Sequence, residues 1–134
     1  MREIDKLIIH CSATRENVAV TVEEIGQWHR ERGYAGIGYH YVVYLDGTIS
    51  QGRPDKQKGA HTLGYNASSI GICYVGGLDA AGQPKDTRTA AQKTALVQLI
   101  NELKERYPGV SVHGHNEFSA KACPCFDVRK EFAI

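Results

Sequence analysis

Two stretches of the chain have no polar face. Lys6-Leu7-Ile8-Ile9-His10-Cys11 and Ser69-Ile70-Gly71-Ile72-Cys73-Tyr74-Val75 are apolar almost throughout. A strand of that kind is stable only with both faces covered, so each reads as a buried central strand. Alternation puts Ile8 and His10 on one face of the first, with Leu7, Ile9 and Cys11 on the other. His10 then stands at the C-terminal end of a core strand, where sheets commonly present functional groups. Cys73 reads as a small buried hydrophobe. The glycines of the second stretch, which exits through Gly76-Gly77, permit close approach by a neighbouring segment.

The remaining segments supply the covering elements. Thr21-Val22-Glu23-Glu24 is a capping box, and Val22, Ile25 and Trp28 follow at helical spacing, with Gly33 as a left-handed stop. Trp28 is expected in the core, and His29, Arg30 and Arg32 on a solvated face. A second capping box, Thr89-Ala90-Ala91-Gln92, opens a helix whose inward face is Leu96, Leu99, Ile100, Leu103 and Tyr107, and Pro108-Gly109 ends it. Asp46-Gly47 lies between two β-prone runs and predicts a hairpin. Its first arm should carry Tyr39, Tyr41 and Val43 on one face and His40, Val42 and Tyr44 on the other. Gly36-x-Gly38 opens no helix and is not a dinucleotide loop. Residues 52–66 are irregular, and a loop of that length in a compact domain is usually functional or mobile. Val110-Ser111-Val112 is a short strand, and 126–132 a short terminal helix with Asp127 in its first turn. This order of elements predicts one α/β domain over residues 1–134, with a central mixed β-sheet flanked by helices.

Composition excludes several classes of partner. The net charge of +1 gives no electrostatic footprint for nucleic acid or an anionic membrane. No apolar run is long enough to span a bilayer, so no membrane anchor is expected. The N-terminus enters a strand at once and lacks signal-peptide anatomy. The chain is therefore expected to stay cytoplasmic as synthesised; a monomer is the default expectation. In a reducing compartment Cys11, Cys73, Cys123 and Cys125 are free thiols or metal ligands rather than disulfides.

Chemistry concentrates in residues 112–127, Val-His-Gly-His-Asn-Glu-Phe-Ser-Ala-Lys-Ala-Cys-Pro-Cys-Phe-Asp. Histidine and thiolate together suit zinc. Three arrangements are compatible with the residues. One strand histidine could join one histidine and one cysteine of the loop in an open catalytic site. His113, His115, Cys123 and Cys125 could instead close a structural site. Without metal, Cys123 could act as a nucleophile with a histidine as base. Pro124 biases Cys123 toward extended backbone. Spacing does not choose between His113 and His115, which share a face of an extended segment.

The motifs Ile8-Ile9-His10-Cys11-Ser12-Ala13-Thr14, Gly38-Tyr39-His40-Tyr41, Asp46-Gly47-Thr48, Gly64-Tyr65-Asn66, Ser69-Ile70-Gly71-Ile72, Gly76-Gly77 and Lys121-Ala122-Cys123-Pro124 occur in one order. Together they resemble the zinc-dependent N-acetylmuramoyl-L-alanine amidases, above all the small bacteriophage lysozymes of that type, whose fold is shared with peptidoglycan recognition proteins. The likeness runs from about Leu7 to Asp127. It implies zinc ligation by His10, His115 and Cys123, and catalytic roles for Tyr39 and Lys121. It also implies substrate-side positions for His61 and Asn66. The implied reaction is hydrolysis of the amide between N-acetylmuramic acid and L-alanine in peptidoglycan or muropeptides. The enzyme would be a wall-lytic amidase such as a phage or prophage endolysin, acting after release or export by another route. Tyr39 and Glu117 are candidates for the general base. A non-catalytic peptidoglycan-binding module is the rival; recognition members of the fold typically lack the thiolate. Two positions depart from the pattern. Cys125 stands where relatives have a small polar residue, and Asn116 replaces a second consecutive histidine.

Overall fold

The structure, a computed structural model, describes residues 2–132. The outermost positions of the expected 1–134 domain, Met1 and residues 133–134, lie outside the described residues. Seven strands and three α-helices follow one another as β1 (Lys6–Cys11), β2 (Thr14–Arg15), α1 (Val22–Glu31), β3 (Tyr41–Val43), β4 (Ile49–Gln51), β5 (Ser69–Tyr74), β6 (Gly77–Leu78), α2 (Ala90–Arg106), β7 (Ser111–Gly114) and α3 (Val128–Glu131).

The main sheet has the order β4-β3-β5-β1-β7. β1 runs parallel to both β5 and β7, β3 runs parallel to β5, and only β4 is antiparallel, to β3. The two apolar runs thus sit side by side at the centre, and every residue of β5 is buried. The β3–β4 hairpin turns at Asp46-Gly47, where Gly47 has φ +87° and a Cβ would lie 2.9 Å from the Ala91 carbonyl oxygen. β2 and β6 form a separate two-stranded parallel pair. Strands of two residues carry no periodic pattern, which is why the sequence gives no sign of them.

The helices divide the sheet into two working faces. α2 lays Ala95, Leu96, Leu99, Ile100 and Leu103 against Leu7, Ile9, Tyr41, Val43, Ile70, Ile72 and Tyr74. Its capping box forms as expected, and the buried Gln92 amide donates to the carbonyls of Val43 and Val75 at 3.2 and 2.9 Å. α1 covers part of the opposite face through Ile25, which clusters with Val20, Val42 and Val75.

Three expectations around α1 and β3 are corrected. Trp28 is 36% exposed and stands at the rim of a cleft, not in the core. His29, assigned to a solvated face, is only 6% exposed. The inward stripe of α1 is Ile25, Gly26 and His29, so i to i+4 from Ile25 selects His29, and Trp28 falls one residue off it. Tyr39 packs with Val42 and Ile25 rather than with Tyr41 and Val43. Alternation holds only inside a pleated strand, and β3 begins at Tyr41.

Candidate metal centre

His10 is the last residue but one of β1, on the face that α1 leaves partly open, and the turn after β7 delivers His115 beside it. The His10 and His115 rings are 4.6 Å apart. Cys123 comes from the loop that follows, and its Sγ accepts the Cys11 backbone N–H at 3.2 Å. The loop is held by the Tyr74 hydroxyl, which donates to the Pro124 carbonyl at 2.7 Å. One ligand atom from each of His10, His115 and Cys123 lies within 4.8 Å of the others. Among the described residues this is the only such grouping of three or more histidine, cysteine or acidic side chains.

The donors fit a metal ion of the zinc type. Two imidazole nitrogens and one sulfur form a three-ligand set that leaves an open position. His115 Nδ1 is buried and has no hydrogen-bond partner, and an orphaned buried nitrogen calls for an acceptor of its lone pair. His10 Nδ1 faces the Cys123 sulfur at 3.9 Å. Burial, then neighbouring His61 and His115, lowers the His10 pKa well below the ordinary histidine value. Burial, then Lys121, lowers that of His115. Neutral imidazoles are the form that ligates.

The other candidates lie apart from this set. His113 spans Ser111 Oγ at 2.7 Å and Glu117 Oε1 at 2.8 Å. Glu117 also accepts the Gly114 N–H at 2.7 Å, so its carboxylate is engaged on the loop's own backbone. The Cys125 thiol donates to the Gly77 carbonyl at 3.3 Å, and burial raises its pKa to about 12. The four loop residues do not converge as a closed site.

Around the His10, His115 and Cys123 set is a cleft of about 210 Å³ whose lining includes Tyr39, His61, Lys121, Trp28, His29 and Tyr34. The Tyr39 ring is 5.0 Å from that of His10, and burial raises its phenol well above the ordinary tyrosine value. Lys121 is exposed at the rim. His61 Nδ1 lies 2.9 Å from His10 Nε2, and Thr62 Oγ1 lies 3.3 Å from the same nitrogen. The lining of the cleft does not include Asn66; its Oδ1 accepts the N–H groups of His61 and Thr62, both at 2.8 Å. Sequence reasoning missed Thr62 and placed His29 on a solvated face. His29 Nδ1 accepts the Gly38 N–H at 2.8 Å, and its ring is 5.3 Å from Tyr39. Its helical offset from Ile25 was the available signal. Nothing in the sequence marks Thr62.

Comparisons with known proteins place the chain among its relatives. A family model described as N-acetylmuramoyl-L-alanine amidase matches residues 1–126. An endolysin of Klebsiella phage KP32 is 43% identical over 129 residues, covering 96% of this chain and 85% of that one. The N-acetylmuramoyl-L-alanine amidase LysC from Clostridium intestinale superposes with TM-score 0.83 at 28% identity, over 98% of this chain and 83% of its own. Bumblebee PGRP-SA gives 0.82 at 27% identity, over 98% and 81%.

Proposed function

The chain belongs to the N-acetylmuramoyl-L-alanine amidase family, and from that premise we propose that it hydrolyses the amide between N-acetylmuramic acid and L-alanine in bacterial peptidoglycan, using zinc held by His10, His115 and Cys123. One observation carries the reading: a nitrogen, nitrogen and sulfur donor set within 4.8 Å, opening into a cleft lined by Tyr39 and Lys121. When bound in such a site, zinc polarises a carbonyl and lowers the pKa of its water toward about 7.

The residues of the chain supply the rest. An amide resists hydrolysis because its carbonyl is a poor electrophile and its amine a poor leaving group. Tyr39 is held neutral by burial, so at neutral pH it serves as a hydrogen-bond donor to the carbonyl oxygen as charge develops there, not as a base. The Lys121 ammonium at the cleft rim stabilises the same charge. Removing one such donor typically costs about 10²–10³ in kcat. Glu117, held by His113 and Gly114, takes no part in proton transfer in this reading. Among the described residues no helix is long and apolar enough to cross a membrane. The proposed working unit is a single chain that reaches the wall from solution after release, like an endolysin.

Zinc content and wall lysis, measured side by side on the wild type, Cys123→Ala and Cys125→Ala, test the proposal. Loss of both zinc and lysis in Cys123→Ala alone is expected. Equal loss in both variants would restore the closed four-ligand site. If the zinc-loaded protein binds walls but releases no amine, the chain is a recognition module instead.

A further inference from the structure

A line of polar atoms runs from His10 through His61, which also lines the cleft, to Ser69 in the buried sheet. His10 Nε2 lies 2.9 Å from His61 Nδ1, and His61 Nε2 lies 3.2 Å from Ser69 Oγ. Ser69 Oγ in turn lies 2.8 Å from the Tyr65 carbonyl oxygen. His10 and Ser69, at its two ends, are 1% and 0% exposed; His61 between them is half-buried. The His61 ring lies flat against β5 at Gly71, where a Cβ would stand 2.6–2.9 Å from its ring atoms.

The last member of this line sets the direction of all the others. A carbonyl oxygen has no proton, so an O···O distance of 2.8 Å requires the Ser69 hydroxyl to donate to it. Ser69 Oγ must then accept, and the donor is His61 Nε2–H. A neutral imidazole carries one N–H, so His61 Nδ1 is its acceptor nitrogen. The proton between His61 and His10 therefore sits on His10 Nε2. Thr62 fits the same direction. Its hydroxyl lies 2.9 Å from His61 Nδ1 and 3.3 Å from His10 Nε2, and it can accept from His10 while donating to His61. What remains on His10 is a lone pair on Nδ1, the nitrogen that faces Cys123.

We propose that His61 and Ser69 are positioning residues: a hydrogen-bonded relay, anchored on the Tyr65 carbonyl, that fixes His10 as the Nε2–H tautomer and presents Nδ1 as the ligating atom. The relay does for His10 what a carboxylate or carbonyl partner does for metal-bound histidines generally: it sets ring orientation and raises ligand basicity. The proposal rests on the reading of His10 as a metal ligand, but the tautomer it assigns belongs to the metal-free protein as well.

Two measurements test it separately. Long-range 1H–15N correlation spectra of the ¹⁵N-histidine-labelled, metal-free protein report which nitrogen of each ring is protonated. His10 and His61 should both carry the proton on Nε2. Ser69→Ala removes one buried hydroxyl, and the His61 signals should move toward a mixture of tautomers. Zinc affinity, measured by competition with a chromogenic chelator, should fall about tenfold in Ser69→Ala. It should fall no further when Ser69→Ala is added to His61→Ala. A His10 proton on Nδ1 in the wild type would overturn the proposal. So would a Ser69→Ala protein with unchanged tautomers and zinc affinity within twofold, or additive losses in the double variant. If the wild type bound no zinc, the metal reading would fail while the spectra still decided the tautomer.

Discussion

Arg88 offers the sharpest test of how the ligand loop is held. Its side chain is 1% exposed. It makes four charge-assisted hydrogen bonds, to Asp86 at 2.9 and 2.8 Å and to Glu131 at 2.6 and 2.7 Å. Its guanidinium carbon sits 3.5 Å from the centroid of the Phe126 ring. Asp86 precedes α2 and Glu131 ends α3, so this one side chain straps the segment after Cys123 onto the body of the domain. Arg88→Met keeps an apolar stem of similar volume over Phe126 and deletes the charge. Breaking a buried pair by removing one partner costs about 3–5 kcal/mol. Here the orphaned carboxylates are 31% and 41% exposed and can be hydrated, which reduces the expected loss to about 2–3 kcal/mol. For a domain of this size that is a fall in Tm of roughly 10 °C. Urea unfolding and calorimetry of the wild type and Arg88→Met should agree on that figure, and zinc affinity should fall with it. A change in Tm of less than about 2 °C would refute the strap, because it would mean that the ion pairs merely offset the cost of desolvating Arg88.

Two further perturbations reach the site from behind. Gly71→Ala puts a methyl group 2.6–2.9 Å from the His61 ring; the ring must shift, at about 1–3 kcal/mol of stability, and chelator competition should give zinc binding about tenfold weaker. Unchanged affinity would mean that His61 does not depend on that contact. His29 makes stability fall with acid: burial, then Arg32, lowers its folded pKa to about 4 from about 6.5 unfolded. Below pH 6.5 the unfolded chain binds a proton that the folded chain does not, so stability drops between pH 6.5 and 4 and levels off below. The contribution between pH 7 and pH 5 is about 2 kcal/mol. His29→Asn, which keeps an acceptor for the Gly38 N–H, should shed that part of the pH dependence in urea titrations; an unaltered slope would show that His29 does not titrate as the geometry requires.

What the sequence revealed, and what it hid, follow the range over which each signal acts. The two central strands, both capping boxes and the Asp46-Gly47 turn are local patterns, and all five form where expected. His29 and Trp28 were exchanged because a stripe only ten residues long tolerates two readings one position apart, and hydrophobicity favoured the tryptophan. Alternation puts Tyr39 with Tyr41 and Val43, but β3 begins at Tyr41 and the pleat does not reach Tyr39. Thr62 was invisible: it matters through a contact with His10, 52 residues away, and no local pattern encodes such a contact.

The choice between His113 and His115 shows where legibility ends. In an extended segment the two residues would share a face, so their spacing relative to each other is uninformative. Their difference is height along the sheet. β7 pairs with β1 so that Ile8 is level with His113 and Ile9 with Gly114; His115 follows as the first residue of a 3-10 turn, and its ring comes to 4.6 Å from that of His10. A rung two residues lower is about 6.6 Å away, beyond the 4.8 Å within which the ligand atoms gather. His113, left one step behind, finds Glu117 and Ser111 instead. The register that decides this is fixed by packing α2 on one face of the sheet while β1 is held between β5 and β7. The proposed ligand set is therefore a property of the assembled sheet: a one-residue slip of β7 would shift the turn that carries His115 by about 3.3 Å relative to His10 and dismantle the centre without altering a single side chain in it.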